Sequence, residues 1–186
     1  ILVGCVLSVE DNLLPSLELL EKSLQKKSKE FDKIIKVGRT HLQDATPIRL
    51  GQEFSGYASM ISHDIERIRI AATECSQLPI GGTAVGTGIN TLEGFDTLVA
   101  SFIAEETDME FSICKNKFEL LSSQNPLSNL SSQIKICAGS LNKIANDIRW
   151  LASGPMSGIG ELKLPSNEPG SSIMPGKVNP TQCEAV

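Results

Sequence analysis

Apolar residues recur at spacings of three and four over three long stretches of this chain, and that period predicts helices. The first stretch covers about residues 1–30, where Leu13, Leu17, Leu20 and Leu24 form one stripe and Lys and Glu occupy the other face. Pro15 lies inside it and predicts a kink or a break, because its ring meets the carbonyl four residues back. The second runs from Gly51 to about Leu78, with Phe54, Ala58, Ile61, Ile65, Ile68 and Ala72 on one stripe. Ser62, Asp64, Glu66, Arg67 and Arg69 are expected to face water or a partner. The third opens at Pro126, a residue favoured in a helix first turn. Leu130, Ile134, Cys137, Leu141, Ile144, Ile148 and Leu151 follow in nearly unbroken helical spacing, and Gly154-Pro155 ends the run. Its apolar arc is wide, which predicts burial on more than one side and bundling between chains. A shorter helix is expected over about Phe95 to Glu106, and Asn179-Pro180-Thr181-Gln182 reads as another helix start.

The segments between these helices break the period. Residues 34–50, IIKVGRTHLQDATPIRL, contain Gly38 and Pro47 and read as a loop or short extended segment displaying polar side chains. Residues 79–94 form a glycine-rich loop. Residues 155–177 hold Gly158, Gly160, Pro165, Pro169, Gly170, Pro175 and Gly176. Loops that long inside a compact domain are usually functional. Strand signals are weak, so the fold class is all-α, with the long helices packed as an antiparallel bundle.

Composition narrows the function classes. The chain has 186 residues, enough for one domain-sized unit, and a net charge of −5, which argues against a broad nucleic-acid or anionic-membrane surface. No apolar run reaches the ~20 residues a membrane helix needs. The five cysteines (Cys5, Cys75, Cys114, Cys137 and Cys183) lie far apart without a CxxC pair, which favours reduced structural thiols over zinc or a disulfide framework.

Two segments carry candidate chemistry. Gly170-Ser171-Ser172-Ile173-Met174-Pro175-Gly176-Lys177-Val178-Asn179-Pro180 sets two hydroxyls, a cation and an amide on a glycine-freed backbone. Such a loop can aim N–H and O–H donors at an anionic, oxygen-rich ligand. Gly38-Arg39-Thr40-His41-Leu42-Gln43-Asp44-Ala45-Thr46-Pro47 holds one of the two histidines; the other, His63, reads as a solvated helix residue. A third segment, Gly81 to Asn90, looks superficially like a nucleotide loop. It is not GxGxxG after a strand, and no Gly-Lys-Ser/Thr follows.

These segments resemble the class II fumarase family of the fumarase/aspartase superfamily, and the resemblance covers nearly the whole chain. The 170–180 loop is similar to the superfamily signature loop, and GRTHLQDATP is similar to a fumarase segment. Aspartases carry Gln at the place of His41 and typically Ala at that of Gly176. The run GKVNPTQCEA, from Gly176 to Ala185, also looks like fumarase. Asn142 to Gly154 resembles the family too and is assigned to core packing, with Trp150 packed rather than catalytic.

The resemblance implies reversible hydration of fumarate to L-malate, a tricarboxylic acid cycle step, by acid–base chemistry through a carboxylate-stabilised carbanion. It implies no metal or redox cofactor. Ser171 is then the base for the carbon-bound proton. His41 acts on the water side, with Glu184 orienting it. Thr40, Ser172, Lys177, Val178 and Asn179 map onto substrate-carboxylate contacts. The implied partners are the small dicarboxylate and three further copies of the chain, in a homotetramer with active sites shared between subunits. The implied compartment is the mitochondrial matrix or the cytoplasm. The family also uses a Ser-Ser-Asn-Asp stretch upstream, which is absent here. With Ile1 inside an apolar-periodic run and Val186 just after a helix start, residues 1–186 are expected to be part of a central helical lyase domain, truncated at both ends and inactive alone. A helical relative without activity and a sibling lyase acting on aspartate or adenylosuccinate are the alternatives; the intact His41, Ser171, Lys177 and Glu184 weigh against the first.

Overall fold

Pro15 divides the first helical stretch, and the division takes a particular form. In the computed structural model, which describes residues 1–186, α1 (Leu2–Ser8) runs into one wide turn over Val9–Leu13, and α2 (Leu14–Glu30) continues from it. The Leu14 N–H reaches back five residues to the Val9 carbonyl. Widening the helix there relieves the clash between the Pro15 ring and the preceding turn. It also turns the stripe: Leu14, Leu17 and Leu24 are buried, whereas Leu13 and Leu20 are only half-buried.

The chain then crosses by an antiparallel hairpin, β1 (Ile35–Thr40) and β2 (Gln43–Arg49), into α3 (Leu50–Cys75). α2 and α3 run antiparallel, as Ser28 reaches the Gly51 carbonyl at 2.7 Å while Glu18 pairs with Arg69 at 3.0 Å. The expected stripe of α3 is buried throughout, with Ile61 and Ile68 fully so. Each such side chain contributes about 1.5–3 kcal/mol by leaving water. Gln52 caps the helix start by accepting the Arg49 N–H at 3.0 Å.

Asp64 departs from expectation. It is 1% exposed rather than solvated. Position 64 falls three residues after Ile61 and four before Ile68, so it lies on the buried stripe itself. Arg67, half exposed one turn on, donates to Asp64 Oδ1 at 2.9 Å. The second oxygen, Oδ2, is buried without a partner.

After α3 the chain forms β3 (Gln77–Leu78), the glycine-rich segment, α4 (Phe95–Thr107), β4 (Ser112–Ile113), α5 (Lys117–Ser122) and α6 (Asn125–Leu151). β3 and β4 pair in parallel, which ends α3 three residues earlier than its apolar pattern. An Asp96–Lys117 ion pair ties α4 to α5 and holds the Asp96 carboxyl below its usual range, chiefly through the lysine's hydrogen bond.

The chain divides into two compact units, Ile1–Ile136 and Cys137–Val186. Along α6, Leu130, Cys137, Ile144 and Leu151 form a buried row at spacings of seven, with Ala145 buried beside Ile144. The flanks of the expected wide arc are open, with Ile134, Ile136 and Trp150 exposed. Trp150 is thus 56% exposed, not packed, because it lies one position off the buried row. Residues 152–180 carry no helix or strand, and α7 (Thr181–Ala185) follows. The fold is mostly helical, as the period predicts, with the hairpin as its main addition. No helix is long and apolar enough to cross a membrane.

Candidate active site

His41 stands at the end of the hairpin. Strand pairing runs from Ile35–Arg49 to Thr40–Gln43, leaving His41 and Leu42 as a two-residue turn. Both have positive φ, 54° and 60°. Turns of this kind need φ above zero at both central residues, and Asn-Gly is the usual solution. His enters that region more readily than most residues, but a bulky Leu is a strained occupant, at about 1–3 kcal/mol. Neither side chain is buried, and Leu42 is 64% exposed.

Ile35, Val37, Thr40, Thr46 and Ile48 explain why an expected loop forms strands, since β-branched residues fit a pleated surface. Pro47 fits because a two-stranded ribbon has only edges. The register slips between Val37 and Arg39, at Gly38. A side chain at Gly38 would stand 2.6 Å from the Thr46 carbonyl oxygen, so the strands close only over a glycine. Arg39 and Asp44 face each other across the outer hairpin at 3.9 Å. Lys36, nearly buried, pairs with Glu53 in the first turn of α3 at 2.7 Å.

The second group lies on the 170–180 loop. Here no strand pairing shapes the backbone. The neck of the loop is a close approach of main chain to main chain: a Cβ on Gly170 would overlap the Lys177 carbonyl oxygen. Asn179 straps the same neck, donating from Nδ2 to the Gly170 carbonyl at 2.9 Å. A turn joins the Lys177 N–H to the Met174 carbonyl at 3.3 Å, with Gly176 at φ 81° inside it. The Ile173 N–H donates to Ser171 Oγ at 3.3 Å. The loop therefore gathers Ser171, Ser172, Lys177, Val178 and Asn179 on one short closed segment. Ser172, Lys177 and Val178 are exposed, and Ser171 and Asn179 are half-buried.

Glu184 follows on α7. Its neighbour is Arg149 of α6, at 3.7 Å, and Arg149 also donates to Asn146 Oδ1 at 3.1 Å. Sequence reasoning missed Arg149 by assigning its whole segment to packing. The signal available was its place on the polar side of the helix, next to the buried row. Cys183 sits beside this pair, and burial pushes its thiol above the usual range. Ser171, Ser172, Lys177, Val178, Asn179 and Glu184 belong to one compact unit, and Thr40 and His41 to the other.

Comparison with known proteins places the chain. A family model described as lyase matches residues 2–186. The chain belongs to this lyase family. It is 54% identical to the mitochondrial fumarate hydratase of Schizosaccharomyces pombe, over 99% of this chain and 35% of that protein. It is 53% identical to the class II fumarate hydratase of Chromobacterium violaceum, over 99% of this chain and 40% of that protein. Among solved structures, the class II fumarase of Schistosoma mansoni superposes with a TM-score of 0.88 at 40% identity, covering 99% of this chain and 42% of that one. The fumarate lyase:delta crystallin of Brucella melitensis gives 0.92 at 38% identity, over 99% and 40%. The mostly helical fold and the resemblance to class II fumarases therefore both stand. The chain spans 35–40% of the length of the curated relatives it matches.

Proposed function

We propose that this lyase chain forms part of a fumarate hydratase, which adds water to fumarate to give L-malate and reverses the step. The observation that carries the reading is the identity above 50% to fumarate hydratases over 99% of the chain, with His41 and the 170–180 loop inside the matched region.

In the malate-to-fumarate direction the Ser171 alkoxide takes the proton from the carbon beside one carboxylate. The electron pair moves into that carboxylate, and the C–O bond on the neighbouring carbon then breaks. His41 supplies the proton that lets the hydroxyl leave as water, with Glu184 orienting and charge-stabilising the imidazole. A serine is a poor base unless its anion is stabilised, and fixed donors achieve that most effectively in a dry site. The Ile173 N–H aimed at Ser171 Oγ supports this role. Thr40, Ser172, Lys177, Val178 and Asn179 hold the substrate carboxylates. The cation of Lys177 and the freed backbone of the loop suit an intermediate that gathers negative charge.

The two compact units belong, on this reading, to the central helical domain of a longer subunit, and four subunits assemble with shared active sites. The exposed flanks of α6 support the assembly, because apolar surface of that kind favours a partner. Relatives named as mitochondrial and as bacterial class II enzymes support the matrix or the cytoplasm as the compartment.

The test is the absorbance of fumarate formed from L-malate by the full-length protein, with L-aspartate as the competing substrate. His41→Asn is expected to lower turnover by about two to four orders of magnitude, the scale of general acid–base groups. Turnover within threefold of the unaltered enzyme removes His41 from the mechanism, and activity on aspartate alone overturns the hydratase reading.

A further inference from the structure

The hairpin is a lever, and its fixing point lies far from its tip. A two-stranded ribbon is marginally stable by itself, so its direction must be set by what it is tied to. At its root the Leu50 N–H bonds to the Ile34 carbonyl at 2.9 Å and the Gly51 N–H to the Phe31 carbonyl at 3.1 Å. Those two bonds, and the exposed Arg49–Asp32 ion pair at 2.9 Å beside them, lie where the chain enters and leaves, so they act as a hinge line and fix no angle about it. The next tie outward is the Lys36–Glu53 pair, 2.7 Å long, with the Lys36 side chain 7% exposed and Glu53 23%. From Thr40 to Pro47 every residue is exposed. We propose that the Lys36–Glu53 ion pair is the strut that fixes the angle of the β1–β2 hairpin on α3 and so positions His41.

The magnitudes make this consequential. At ~3.3 Å per strand residue, His41 lies about 16 Å out along the strand from Lys36. A tilt of only about 4° at the base then moves the imidazole by about 1 Å, a displacement that can cost ~100-fold in rate. Charge matters as well as length. Lys36 is nearly buried, and removing the Glu53 charge weakens what holds its cation there, so the side chain shifts toward water and takes the strand with it. Lys36 and Glu53 are thus positioning residues that act through His41, and the proposal rests on the reading that His41 takes part in the reaction.

The experiment uses the full-length enzyme. Glu53→Gln is expected to lower kcat by about 10- to 100-fold, with KM changed less than about threefold, because of the five residues proposed to hold the substrate carboxylates only Thr40 stands on the hairpin. The exchanged pair, Lys36→Glu with Glu53→Lys, is expected to recover most of that loss; it also serves as the second variant if Glu53→Gln folds poorly. In a His41→Asn background Glu53→Gln should cost nothing further, because the group it positions is gone. Hydrogen exchange across residues 35–49 should quicken in Glu53→Gln while α3 keeps its protection. Unchanged exchange in the hairpin overturns the strut, whatever His41 does. Losses that multiply in the His41→Asn background overturn action through His41. A His41→Asn enzyme at full rate sinks the proposed role of His41 and the positioning claim with it.

Discussion

His41 stands on paired strands whose turn is strained, whereas Ser171 and Lys177 stand on a loop whose backbone is held to itself. The hairpin keeps its shape through a ladder, a bulge at Gly38 and a half-buried ion pair on α3. The 170–180 loop keeps its shape through one main-chain contact at Gly170 and one amide strap from Asn179. The hairpin presents His41, with Thr40 beside it, at the end of an arm. The loop presents several donors at once. On the proposed function each region carries one proton-transfer group, His41 on the hairpin and Ser171 on the loop, and each depends on one atom held at one distance. Holding a carboxylate spreads the task over several donors, and a short closed loop can supply them. The two regions also fail differently: the loop has a single neck, while the hairpin has several ties.

Among changes to how the two regions are held, the largest effect should therefore come from the neck. Gly170→Ala sets a Cβ where the Lys177 carbonyl oxygen stands, and backbone cannot step aside as a flexible side chain would. Turnover of malate should fall by about 100-fold or more, since a shift near 1 Å in a positioned group costs that much. A Gly170→Ala enzyme at normal rate would show that the loop takes another form when it acts. Next in size is Lys177→Met. Losing a charged donor should weaken a succinate-like inhibitor by about 10- to 100-fold, read by calorimetry, in line with ~1.5–3 kcal/mol for hydrogen bonds to charged groups. Equal affinity would separate Lys177 from the ligand. The smallest effect belongs to the turn. Leu42→Gly relieves the left-handed backbone and should raise stability by up to about 1 kcal/mol in a denaturant titration, part of the gain being lost to the freer unfolded chain. A fall in stability would mean that the leucine side chain holds the tip.

The helices were legible because their apolar period is long and regular; Ile61 to Ala72 on α3 and Leu130 to Leu151 on α6 needed no other signal. The hairpin was not. Its strands alternate imperfectly, Gly38 interrupts the register, and Pro47 reads as a loop residue until one sees that its strand has no outer neighbour. Asp64 was misread by residue type, although its spacing from Ile61 and Ile68 already set it inward. Trp150 was misread in the opposite sense for the single chain, where it is open on the flank of α6. The candidate site was legible as two segments, through resemblance rather than periodicity. What could not be read was how each is held: the Gly170 neck is a contact between backbones, and the Arg149–Glu184 pair joins residues 35 positions apart. Neither leaves a mark in local composition.

Burial of the sulfurs has a consequence for the protein's oxidative ageing. Cys75 is wholly enclosed, and burial, with lesser contributions from Cys5 and Glu74, pushes its thiol up to about 11. At pH 8 such a group is thiolate in roughly one molecule per thousand, and the thiolate is the form that peroxide and alkylating reagents attack. Cys183, next to Glu184, is shifted the same way by its own burial. A titration of the native protein with a thiol reagent should therefore count fewer than the five cysteines of the sequence, and recover all of them only after unfolding.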